Sequence, residues 1–119
     1  MPATKGLWSK LRGYAAESSA RRYLEGQGLN FIQKNYLCRQ GEIDLIMQDG
    51  AEWVFVEVKF RHNQQHGRAE EYFHANKRRK FEKAVLHFLH SKHINPAHVP
   101  FRIDVVAINK DQLSWFKCV

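Results

Sequence analysis

The amino-acid sequence predicts a single α/β domain built on one mixed sheet, and three observations carry that expectation. Segments with helical and with strand periodicity follow one another in the order αβββαββ. Asp49-Gly50, a strong hairpin signal, stands between two apolar runs of strand length. The chain has 119 residues, 44% of them hydrophobic, enough for one core and too apolar for a disordered chain. The whole of 1–119 is expected to be one domain, with residues 1–8 as a loose N-terminal end.

From about Gly13 to Glu25 the pattern is helical, with Ala16, Ala20, Tyr23 and Leu24 on one stripe and Gly26 and Gly28 ending it. "LNFIQKNYLC" (29–38) reads as a first strand. "EIDLIMQ" and "EWVFVEVKF" are two more, joined at Asp49-Gly50. Residues 61–73 form a polar loop. A second helix runs from about His74 to Ser91, with Phe81, Ala84, Val85, Phe88 and Leu89 as its apolar stripe. Pro96 and Pro100 punctuate the connection to "FRIDVVAI" (101–108), and a turn at Asn109–Gln112 leads to an edge strand, "LSWFKC" (113–118).

The hairpin register follows from the apolar pattern. A two- or four-residue loop puts Ile43, Leu45 and Met47 on one face with Val54, Val56, Val58 and Phe60. Glu42, Asp44, Ile46 and Gln48 then share the other face with Trp53, Phe55, Glu57 and Lys59. A one-residue slip would expose the apolar set. This register sets Asp44 beside Glu57. The second face is apolar at one end and needs a cover, and the first helix is the expected one, which would bring Glu17 toward Asp44, Glu57 and Lys59.

Three carboxylates around one ammonium repel one another unless a cation joins them. Mg²⁺ or Mn²⁺ takes such hard oxygen ligands, and a lysine beside it can help activate a water or stabilise charge on a phosphate. The pattern therefore points to metal-assisted phosphodiester hydrolysis. The plain alternative for Glu57 and Lys59 is a strand-surface ion pair.

Charge agrees with that substrate class. Nineteen Lys+Arg against twelve Asp+Glu give +7, which suits a polyanion. The run Lys77-Arg78-Arg79-Lys80 opens the second helix, and Arg61 follows Lys59 on its strand. These five are the candidate phosphate contacts. No apolar run approaches the roughly 20 residues that span a bilayer, and no secretory signal is evident. Cys38 and Cys118 have no metal or redox spacing and fit a reduced cytoplasm. His87, His90 and His93 match no zinc signature.

"GEIDLI" followed by "FVEVKFR" resembles the PD-(D/E)xK nuclease signature, with Ile43 in the proline position. Gly13, Glu17, Ala20, Leu24, Asn35, Gly41 to Asp44, Phe55 to Arg61, Lys77 and Arg102 to Val106 together closely resemble the YraN-like family of bacteria, over about residues 12–108. The resemblance implies a restriction-endonuclease-like fold with an αβββαβ core, akin to archaeal Holliday-junction resolvases. It implies Asp44 and Glu57 as metal ligands, Lys59 as the catalytic lysine and Glu17 as the helix carboxylate completing the site. It also implies DNA as substrate, with RNA left open, and a homodimer as in resolvase-like relatives. The same superfamily holds members that bind nucleic acid without cutting it, so a non-catalytic binder stands as the alternative.

Overall fold

The computed structural model describes residues 2–61, 73–109 and 112–119, with 2–12 described by backbone alone. Helix α1 (Pro2–Gly26) is followed by β1 (Asn30–Cys38), β2 (Gly41–Asp49) and β3 (Glu52–Arg61), then α2 (Ala75–Ser91), β4 (Phe101–Asn109) and β5 (Gln112–Phe116). The strands form one sheet in sequence order, β1-β2-β3-β4-β5. Only β3 and β4 pair in parallel; the other neighbours are antiparallel. A parallel pair needs a crossover, and α2 supplies it. This is the expected mixed sheet with an αβββαβ core and a C-terminal edge strand. Most of the expected 61–73 loop (62–72), and residues 110 and 111 of the last turn, lie outside the described residues.

Helix α1 starts earlier than the periodicity predicts. Pro2 opens it, a position that a proline tolerates because its missing N–H would be unpaired there. The backbone of residues 2–8, expected as a loose end, is therefore helical. Gly28 closes α1 at φ 99, letting the Leu29 amide return to the Leu24 carbonyl at 3.1 Å.

The hairpin has the expected register. Leu45 opposes Val56, Ile46 opposes Phe55, and Asp49 opposes Glu52 across a two-residue loop that Gly50 enters at φ 63. The two sheet faces are covered differently from the expectation. Helix α2 covers the face of Ile46 and Phe55, whereas α1 packs Ala16, Ala20 and Leu24 on Leu45, Met47, Val54, Val56 and Val106. Size and topology explain the exchange. The crossover leaves α2 over β2 and β1, from where Phe88 reaches Trp53 and Phe55 edge-on at 5.6 and 5.8 Å. Each fully buried ring contributes about 1.5–3 kcal/mol. The alanine stripe of α1 fits the shallower β-branched face, and Arg21 clips it to β1 by lying 3.5 Å over the Phe31 ring.

The β1–β2 register shifts between Phe31 and Gln33, and strict alternation fails again at the place that matters. Ile43 was expected beside Leu45 and Met47 but packs in the α2 core with Ile46. Its partner across the ladder, Tyr36, lies on the same side. Between Tyr36↔Ile43 and Lys34↔Leu45 stand Asn35 and Asp44. Asn35 has φ 52, the left-handed region that asparagine tolerates better than most residues. The pleat turns over there, so Asn35 and Asp44 belong to neither face cleanly.

Candidate active site

The turned pleat places Asp44 where β2 and β3 part. Their ladder ends at Leu45↔Val56, and beyond it the Asp44 carboxylate accepts the Val58 amide at 2.8 Å. Glu57, opposite, is buried at 4% exposure. It lies on the face covered by α2, and its Oε1 takes two ammonium groups, Lys59 Nζ at 3.0 Å and Lys77 Nζ at 2.9 Å. Glu17 reaches the same place from α1, on the other side of the sheet. The Asn35 amide, in the orientation that places its nitrogen toward Glu17, donates to both carboxylate oxygens at 2.9 and 3.2 Å.

The expected approach of Glu17 is thus met by another route. It does not come from α1 covering the Asp44–Glu57 face, since α2 occupies that face. It comes from the face that α1 covers, close enough for the charges of Glu17, Asp44 and Glu57 to act on one another. Gly41, Glu42, Asp44, Glu57, Lys77, Lys80 and Phe81 line a pocket of ≈ 170 Å³ where β2 and β3 part. A Cβ on Gly41 would meet the Lys80 carbonyl at 3.0 Å, so β2 enters the site pressed against α2.

Electrostatics reflect a surplus of carboxylates. Burial, and then the charge of Glu57, push Asp44 from 3.8 up to about 8; Glu17 and Glu42 add to the effect and the Val58 amide opposes it. Burial and Glu42 raise Glu17 above its usual value, against the pull of the Asn35 bond. Burial lowers Lys59, a hydrogen bond with Lys77 lowers it further, and Glu57 resists. Burial would lower Lys77 as well, but its bonds to Lys59 and Glu57 outweigh that and hold it above 10.5. The two neighbouring lysines are thus shifted in opposite directions.

A hard divalent cation fits this donor set in a particular way. Asp44 and Glu57 face each other across the strand gap, and among the described residues three carboxylates surround Asp44 against the ammonium of Lys77. Among the described residues, no three acidic, His or Cys groups converge tightly enough to form a ready three-ligand site. Two carboxylates with the remaining positions filled by water is the usual habit of Mg²⁺. Glu17 stands behind them, held by Asn35.

The basic candidates divide. Lys77 and Lys80 line the pocket. Arg78 is engaged by Glu82 at 2.8 Å, and its guanidinium lies 5.7 Å from the Phe73 ring. Arg79 is exposed beside them, and Arg61 ends β3 with its guanidinium turned to the Phe60 carbonyl at 3.4 Å. Two roles escaped sequence reasoning. Lys77 is an internal partner of Glu57, hidden inside what reads as a basic run. Asn35 is the holder of Glu17, signalled only by an asparagine in mid-strand.

Among the described residues no helix is long and apolar enough to cross a membrane. Residues 16–108 match the uncharacterised protein family UPF0102, the YraN-like family that the motifs resemble. A UPF0102 protein of Colwellia psychrerythraea is 42% identical over 119 residues, covering 97% of this chain and 92% of that protein. One from Shewanella baltica is 45% identical over 103 residues, covering 87% and 93%. One from Pseudoalteromonas translucida is 41% identical over 120 residues, covering 97% and 96%. Glu17, Asp44, Glu57 and Lys59 fall within the matched span, and the chain belongs to the UPF0102 family.

Proposed function

We propose that the chain is a metal-dependent nuclease that hydrolyses phosphodiester bonds in DNA, with RNA as the nearest alternative substrate. One observation carries the reading: Asp44, Glu57 and Lys59 meet where β2 and β3 part, and burial and the neighbouring carboxylates push Asp44 well above its ordinary value. Mg²⁺ or Mn²⁺ held by Asp44 and Glu57 would supply charge on the scissile phosphate and acidify a bound water. Lys59, an ammonium on Glu57, would hold the attacking water and steady the charge developing on the phosphate, and the proton of that water passes to solvent. The water oxygen forms the new bond to phosphorus, the ester bond to the leaving oxygen breaks, and that oxygen receives a proton from solvent. Glu17, held by Asn35, orients water opposite Asp44. Lys80 and the neighbouring basic residues of α2 hold the backbone phosphates. A larger cleft of ≈ 580 Å³ at the far end of α2, lined by Leu86, His90, His93, Ile94, Asn95 and Pro96, holds none of these acidic residues.

The test is cleavage of end-labelled single strand, duplex, flap and four-way junction with Mg²⁺, Mn²⁺ or EDTA. Metal-dependent cutting that disappears in Asp44→Ala and Lys59→Ala is the expected result. A second reading, nucleic-acid binding without turnover, draws on the same ion pairs, because two lysines already neutralise Glu57. It predicts salt-sensitive binding and no cutting with any metal.

A further inference from the structure

Two ammonium groups share one carboxylate oxygen, and they differ in freedom. Lys59 rises from β3 itself, with its side chain 14% exposed; Lys77 stands in the first turn of α2 with its side chain 48% exposed. The oxygen they share faces the pocket that Asp44, Glu57, Lys77 and Lys80 line together. A cation entering there meets an ammonium already on its ligand. Lys59, the more buried of the two, has less room to withdraw. Lys77 can do so by rotating its flexible stem toward solvent, where it remains at the pocket rim beside Lys80.

Resting on the metal-dependent reading above, we propose that Lys77 is the counter-ion that a divalent cation displaces from Glu57, and that the freed ammonium then binds a backbone phosphate of the substrate. The metal-free protein keeps Glu57 neutralised, which removes the penalty of an unpaired buried carboxylate. Metal entry shifts that positive charge outward by one side-chain length, to where a polyanion arrives. Metal and nucleic acid then bind cooperatively, and the coupling is reciprocal. Arg78, tied to Glu82, has no such freedom.

The experiment is calorimetric titration of Mn²⁺ into the full chain, comparing the parent with Lys77→Met and with Lys83→Met. Lys83 is exposed on the same helix and does not line the pocket, so it controls for the loss of one positive charge. Lys77→Gln replaces Lys77→Met if the latter melts early. Lys77→Met is expected to bind Mn²⁺ about tenfold more tightly than the parent, with Lys83→Met unchanged. Binding of labelled oligonucleotides then follows across a salt series, with Ca²⁺ or with EDTA. In Ca²⁺ the parent's slope of log affinity against log salt should exceed that of Lys77→Met by about 0.9 on duplex, one phosphate contact; in EDTA the slopes should agree. Mn²⁺ affinity unchanged or weakened by Lys77→Met refutes the displacement, as does equal tightening in Lys83→Met. Equal slopes in Ca²⁺ refute the transfer to phosphate. No Mn²⁺ binding by any of the proteins overturns the metal-dependent reading and this inference with it.

Discussion

Replacing Asp44 by asparagine should stabilise the metal-free protein while abolishing its response to metal. Folding moves this carboxyl from 3.8 to about 8, so at neutral pH folding must either take up a proton or bury an opposed charge. At pH 7 the full shift corresponds to about 4 kcal/mol against folding. The pocket is open to water and Lys59 and Lys77 lie close by, so screening reduces this to about 2 kcal/mol. Asparagine removes the charge and keeps an oxygen for the Val58 amide, now at 2.8 Å. In a domain of this size about 2 kcal/mol raises Tm by roughly 6–10 °C. The sign with pH is fixed. A carboxyl whose folded pKa is raised contributes stability that is fully present below pH 3.8 and is lost as pH rises toward about 8. The advantage of Asp44→Asn should therefore grow from pH 5 to pH 8. Thermal melts in EDTA across that range, repeated with millimolar Mg²⁺ or Mn²⁺, make the test. Metal should raise the Tm of the parent and leave the variant unmoved. A variant that melts below the parent at pH 7.5 in EDTA, or by a margin independent of pH, refutes the reasoning.

Asn35→Gly keeps the left-handed backbone but releases Glu17, so cleavage should fall about tenfold, in the range typical of residues that orient metal-site groups, with little change in Tm. Asn35→Ala should add about 1–2 kcal/mol of destabilisation from backbone strain, visible in a urea melt. Gly41→Ala pushes a methyl group to 3.0 Å from the Lys80 carbonyl; about 1–3 kcal/mol of overpacking and weaker metal binding should follow, measured by denaturant titration and calorimetry. Asp104→Asn should destabilise by about 3–5 kcal/mol in the same titration, and metal-dependent activity per folded molecule should be retained.

Much of the fold was legible because apolar patterns exclude alternatives. Ile46 and Phe55 against Leu45 and Val56 permit one hairpin register, and the Phe81–Leu89 stripe permits one buried face of α2. Which sheet face each helix covers was not legible. Ala16, Ala20 and Leu24 say that α1 buries a narrow stripe, but the β3–α2–β4 crossover decides which face remains for it. Asp44 and Glu57 were found by register, yet the position of Asp44 depends on a break in that register. The trace in the sequence is slight: Ile43 and Ile46 are three apart in a strand, and an asparagine lies opposite the intervening Asp44. Lys77 was legible only as a basic residue. Its bond to Glu57 joins the first turn of one helix to a strand facing it, and no local pattern encodes such a pair.

Two aspartates on this sheet show why the candidate site is at one end and not the other. Asp104 is fully buried, and every direction around its carboxylate is answered: Arg102 Nε at 3.1 and 3.2 Å, Trp115 Nε1 at 2.9 Å and the Cys118 amide at 2.9 Å. Arg102 is itself tied to Asp49 at 3.1 Å and Glu52 at 2.7 Å, closing the network around the hairpin. Such a carboxylate has nothing left to offer a ligand, and neutralising it strands a buried guanidinium. Asp44 has one amide, and the three carboxylates around it outweigh the ammonium of Lys77. The same substitution, Asp to Asn, should therefore destabilise at 104 and stabilise at 44. A buried carboxylate whose neutralisation strengthens the fold is being held against its own electrostatics, and stability alone gives no reason to keep it. The divalent cation of the proposed function would supply one.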